Sequence, residues 1–136
     1  MPSRRKAREL ALQMLFQWDL GGQPAAQITS TFLGPRKLHA ETARFAQDLF
    51  EGAVNESGTL DSLLREHSEH WRLERIAAVD RNILRLALYE LFHFPENPPA
   101  VVINEALELA RRFSTGESVE FVNGVLEGVR KASSRK

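Results

Sequence analysis

Between residues 80 and 92 the chain reads DRNILRLALYELF, and a helix wound from it carries Ile83, Leu84, Leu86, Ala87, Leu88, Leu91 and Phe92 on nearly every side. A helix that is apolar almost all round does not lie on a surface, so other elements must surround it. The flanking segments carry helical periodicity as well. Residues 4–19 place Ala7, Leu10, Ala11, Met14 and Trp18 at three- and four-residue spacing, with Ser3 suited to cap the start and Gly21-Gly22 to end it. A shorter helix is predicted near 24–33, closed by Gly34-Pro35. Residues 40–54 set Ala43, Ala46, Phe50 and Val54 on one stripe, widened by Phe45 and Leu49. After a break at 55–58, Thr59 or Asp61 begins a helix carrying Leu60, Leu63 and Leu64.

Trp71 and Leu73 open a second group, followed by a short turn through Ile76 and the central helix, which Asp80 caps or starts. The prolines within 95–99 force a sharp connection, and Val102, Ala106, Leu109 and Phe113 mark the next helix. Residues 114–117 form a turn with capping chemistry. The last helix, about 118–131, turns Val119, Val122, Val125, Leu126 and Val129 inward. No strand-like alternation and no internal repeat is visible. The expected fold is therefore all-α: a single compact domain of about seven helices in two packed groups, about 4–68 and 71–131, with 80–92 as a largely buried centre.

A chain of 136 residues, 43% of them apolar, is long enough to bury one core. It has no cysteine, which excludes disulfides, thiolate chemistry and the common cysteine-ligated zinc sites. Gln13, Gln17 and Asp19 interrupt the apolar positions that a signal peptide would need, and no segment reaches the ~20 apolar residues of a membrane span. A cytoplasmic protein without membrane contact is expected.

Eighteen cations balance eighteen acids, yet the balance is uneven along the chain. Arg4, Arg5, Lys6 and Arg8 against Glu9 give the first ten residues a charge of +3. Arg130, Lys131, Arg135 and Lys136 give the last nine +4, so the middle is acidic. If the ends lie together they form one positive patch suited to an anionic polymer. Arg4, Arg5 and Arg8 stand three or four residues apart, on one side of the first two helical turns. Cations there oppose the helix dipole by ~0.3–1 kcal/mol each, and a phosphate reverses the sign by pairing with guanidinium groups and free backbone N–H groups. The other explanation is a solvated terminal tail. The phosphate assignment predicts that Arg5→Glu with Arg8→Glu abolishes binding of such a polymer and leaves helical content intact.

Phe121 lies about 100° from the centre of the last helix's apolar stripe, on a side shared with Gly124 and Gly128. It is either a ring on which an unpaired base stacks, or the filling of a second packing seam that the glycines open. His67 and His70 have the spacing of two metal ligands, but two ligands make no site and a surface role is expected. There is no phosphate-binding glycine loop, no nucleophile elbow and no carboxylate pair in a setting that would raise one pKa. The chain is expected to be no enzyme and to use no cofactor or metal.

Three strings, SRRKARELALQMLFQW, VDRNILRLALYEL and INEALELARRFSTGESVEFVNGVL, resemble the NusB family in order and spacing, from Arg4 to about Lys131. The resemblance implies an all-helical fold of two packed groups and a role in processive antitermination of ribosomal RNA transcription. It implies binding to the boxA element of the nascent transcript together with a small-subunit ribosomal protein, NusE, within a complex of NusA, NusG and RNA polymerase. By position, Arg4, Arg5, Lys6 and Arg8 match the family's RNA-contacting start and Phe121 an aromatic near the RNA. Glu117 stands where an acidic residue alters RNA affinity, and Phe16 and Asp80 match positions in contact with NusE. Phe16 replaces a tyrosine of some members, Lys6 an arginine, and Glu120 a lysine. Two other functions fit the residues: an RNA-guiding module related to ribosomal RNA methyltransferases, which the missing methyl-donor domain opposes, and a structural protein that oligomerises through a helical face. The sequence leaves monomer against homodimer open.

Overall fold

The computed structural model describes residues 2–68 and 73–134, so the expectations placed on His70, Trp71, Arg135 and Lys136 lie outside the described residues. Its helices are α1 (Arg4–Gly21), α2 (Ala25–Leu33), α3 (Ala40–Asn55), α4 (Ser57–His67), α5 (Ala78–His93), α6 (Pro99–Phe113) and α7 (Gly116–Ser134), with one 3-10 turn at Leu73–Arg75. Among the described residues there is no strand, as the periodicity predicts. No helix among them is long and apolar enough to cross a membrane.

Local chemistry sets the helix ends. The Ser3 hydroxyl accepts the Lys6 N–H at 3.0 Å, and the Ser3 N–H donates to Thr42 Oγ1 at 2.9 Å, which ties the start of α1 to α3. At its far end Gly22 takes a left-handed φ of 71° and returns its N–H to the Trp18 carbonyl. Pro99 begins α6, where a missing N–H does no harm. The expected break at 55–58 is tighter than the sequence suggests. The Glu56 N–H bonds Gly52 O and the Glu56 carbonyl accepts from Leu60, so α4 starts at Ser57 directly after α3.

α5 is the centre, packed against α1, α3, α4, α6 and α7. Ile83, Leu84, Leu86, Ala87 and Leu88 are buried in a continuous core with Met14 and Leu15 of α1, Leu49 and Phe50 of α3, and Val122 and Leu126 of α7. α5 begins at Ala78, so of the two roles expected for Asp80 the helix-start one holds: its carboxylate lies in the first turn and makes no cap. One expectation needs correction, since Phe92 is exposed. Asp80, Asn82, Arg85 and Glu90 are all buried on the same helix. Each is answered by a partner from another element: Ser114 and Ser118, Asp19, Asp61, and Arg8, in that order. Burying polar groups without partners would be costly, and here every buried side-chain polar atom among the described residues is satisfied.

Candidate nucleic-acid interface

The first turn of α1 presents Arg4, Arg5 and Lys6 to solvent. Arg4 holds its guanidinium 4.5 Å from the centre of the Phe45 ring and donates from Nη1 to Asn97 Oδ1 at 3.1 Å. Arg5 makes a fork onto Glu105, Nε to Oε1 at 3.1 Å and Nη2 to Oε2 at 2.9 Å, and its side chain remains 64% exposed. The hydrogen bond from Arg5 lowers the Glu105 carboxyl pKa, partial burial opposes this, and the charges of Arg5 and Arg8 add to the lowering.

Arg8 does not join this face. It is 6% exposed, turned inward, and bonded through Nε and Nη2 to Glu90 at 2.8 and 2.6 Å, with Glu105 at 3.4 Å from its remaining nitrogen, Nη1. The expectation that Arg8 shares a solvent-facing patch with Arg4 and Arg5 is corrected. Arg8 lies three and seven residues before Ala11 and Leu15, on the buried stripe, and Glu90 inside the core supplies the charge that makes its burial tolerable.

A second feature lies where α6 turns into α7. Arg75, Ile76, Ala77, Asp80, Thr115, Glu117, Ser118 and Phe121 line a cleft of about 260 Å³. Thr115 caps α7 by accepting the Ser118 N–H at 3.3 Å on its hydroxyl. The Ser114 and Ser118 hydroxyls donate to the two oxygens of Asp80, each at 2.7 Å, so α5 holds the start of α7 in place. Glu117 is exposed, and Phe121 is half-buried against the core with part of its ring toward the cleft. The two glycines differ: a side chain on Gly124 would meet open space, whereas Gly128 lies against His67 of α4. A seam exists at Gly128, and the surface stays open at Gly124.

α6 leads from the basic turn to this cleft. Along it Arg112 pairs with Glu9 and Arg111 with Glu108, so the surface between the two features consists of paired charges instead of an uninterrupted basic strip. The first turn of α1 rests on Thr42, Asn97 and Glu105, while α7 leans on α4 at Gly128. The predicted partner residues also part company. Phe16 is 36% exposed on the open side of α1, and Asp80 is inside. Leu20, four residues beyond Phe16 and 61% exposed, continues that apolar face and was not singled out from the sequence.

The NusB family model matches residues 5–131. The chain belongs to the NusB family. Among its relatives, the transcription antitermination protein NusB of Koribacter versatilis is 58% identical over 128 residues, covering 93% of this chain and 88% of that protein. That of Solibacter usitatus is 48% identical, covering 96% and 90%. Of solved structures, T. maritima NusB superposes with a TM-score of 0.87 at 32% identity, covering 96% of this chain and 93% of that one. A crystal structure of antitermination factors NusB and NusE in complex with double-stranded RNA gives 0.87 at 28% identity, covering 95% and 96%. The seven-helix NusB architecture thus extends over nearly the whole chain.

Proposed function

We propose that this chain is an RNA-binding transcription antitermination factor that acts by binding and not by chemistry. It takes the boxA element of nascent ribosomal RNA jointly with the ribosomal protein NusE, and with NusA, NusG and RNA polymerase it supports processive transcription in the cytoplasm. The likeness to the NusB–NusE–RNA structure carries this reading. The whole described body works as one RNA-binding unit, with three exposed cations at the start of α1 meeting phosphates.

Ser3 takes the Lys6 N–H, which leaves the N–H groups of Arg4 and Arg5 at the helix start for a phosphate, alongside the guanidinium groups of the same residues. Arg8 contributes from beneath by holding Glu90 and Glu105, and so fixes the floor on which Arg5 lies. Phe121 offers a partly open ring for a base, with Glu117 tuning the charge beside it. Phe16 contacts NusE directly. Asp80 acts on that partner surface through the α6–α7 turn that it holds.

The test is titration of a single-stranded boxA RNA and a scrambled control, with and without NusE, at two salt concentrations. The native sequence should bind more tightly, and NusE should strengthen it. Replacing Arg4, Arg5 and Lys6 together with alanine should lower the salt slope by about 2, at roughly 0.7 per phosphate on a single strand. Equal affinity for both RNAs, or an unchanged slope, overturns the reading.

A further inference from the structure

Arg4 stands out from its neighbours in what holds it. Arg5 and Arg8 are held by carboxylates, which fix a guanidinium but also neutralise its field. Arg4 is held by two uncharged groups, the Phe45 ring and the Asn97 carbonyl oxygen. Asn97 is itself fixed. Its N–H bonds the Phe94 carbonyl at 2.9 Å, two prolines follow it, and its Nδ2 donates to Glu90 Oε2 at 3.0 Å. Glu90 is buried against Arg8. A chain of contacts therefore runs from the core pair Arg8–Glu90 through one amide to an exposed cation.

We infer that Asn97 is a positioning residue for RNA binding: its amide relays the buried Glu90 to Arg4 and fixes that guanidinium on Phe45 with its full charge turned toward a phosphate. This rests on the RNA-binding reading above and assigns a role to a residue outside the family motifs. A side chain already placed loses less freedom when the ligand arrives, so affinity rises with no added contact. An amide suits the task because its oxygen accepts from Arg4 while its nitrogen donates to Glu90. A carboxylate at this position would oppose Glu90 and cancel the charge of Arg4.

The test uses the full chain, the boxA RNA and a filter for folding by thermal melting. Asn97→Ala should weaken binding about three- to tenfold, the scale of one net hydrogen bond, with an unchanged salt slope because no cation is lost. Arg4→Ala should weaken it and also lower the slope by about 0.7. In the Arg4→Ala background, Asn97→Ala should have no further effect, which a merely structural role would not produce. Asn97→Asp should reduce both affinity and slope. If the unaltered protein binds the RNA and Asn97→Ala binds equally well, or if the two alanine effects add in full, the positioning role is overturned. If the unaltered protein does not discriminate boxA from the scrambled RNA, the failure lies with the RNA-binding reading instead.

Discussion

Arg8 and Glu90 are 82 positions apart in the chain and meet inside the protein as a two-pronged ion pair, Nε to Oε1 at 2.8 Å and Nη2 to Oε2 at 2.6 Å. The pair joins α1 to the end of α5, and both side chains are nearly inaccessible. Removing one partner leaves a buried charge uncompensated, which costs about 3–5 kcal/mol. Arg8→Ala should therefore lower the melting temperature by many degrees, whereas Arg5→Ala, whose side chain is mostly in water, should leave it nearly unchanged. Thermal denaturation of both variants by circular dichroism checks this. The double change Arg5→Glu with Arg8→Glu sets a second carboxylate against Glu90 in the core, so helical content should fall and the variant says nothing about RNA.

The amphipathic pattern located the seven described helices, because burial of a continuous apolar stripe is what decides helix position and length. What it concealed was the destination of polar residues. Arg4, Arg5 and Arg8 look alike when only spacing is considered, since a helix face has no mark that tells solvent from a neighbouring helix. One signal was available: Glu90 sits among the apolar residues of the second half of α5 and requires a cation, and Arg8 lies on the stripe of Ala11 and Leu15. Asp80 was legible as a helix-start residue but not as the acceptor for Ser114 and Ser118, because that pairing depends on how α7 folds back on α5. Phe121 was rightly placed at the margin of the core, but the lining of its cleft by Arg75 and Ile76 comes from a distant segment.

Gly52 and Gly124 are both helical, and their replacement by alanine should move stability in opposite directions. A Cβ on Gly52 would overlap the Tyr89 ring. That ring stacks on His93 at 4.4 Å and meets Phe94 edge-on at 6.1 Å, contacts it would give up in making room. Gly52→Ala should destabilise by about 1–3 kcal/mol, as overpacking does. Gly124→Ala meets nothing and should stabilise by about 0.5–1 kcal/mol through helix propensity alone. Urea unfolding of the two variants measures both signs.

Asp19 gives the fold part of its acid sensitivity. Partial burial pushes its carboxyl pKa up, but hydrogen bonds from Arg81 and Asn82 and the charges of Arg85 and Arg81 outweigh this and hold it below the ordinary value of 3.8. A carboxyl whose pKa is lower in the folded state stabilises the fold fully above its unfolded pKa, and that contribution is lost as pH falls through the folded one. Stability measured by denaturant titration should be level above about pH 5 and drop below about pH 4. Asp19→Asn should start less stable at neutral pH and lose less on acidification. An identical acid slope in the two proteins would remove Asp19 from the account.

On the partner role proposed above, the burial of Asp80 favours an indirect influence over a direct contact. Its carboxylate is spent on the hydroxyls of Ser114 and Ser118, at the turn that carries Thr115, Glu117 and Phe121. Asp80→Ala would take the charged acceptor from two hydroxyls, leaving them only each other and Thr115 Oγ1, at a cost of about 1–3 kcal/mol. The melting temperature should fall, and amide exchange at the start of α7 should quicken relative to the middle of α5. On the proposed reading, in which this turn serves both surfaces, RNA and NusE affinity should then decline together. Were Asp80 a direct contact, melting and exchange would stay as they are and only NusE binding would weaken, which a side-by-side titration of the two ligands distinguishes.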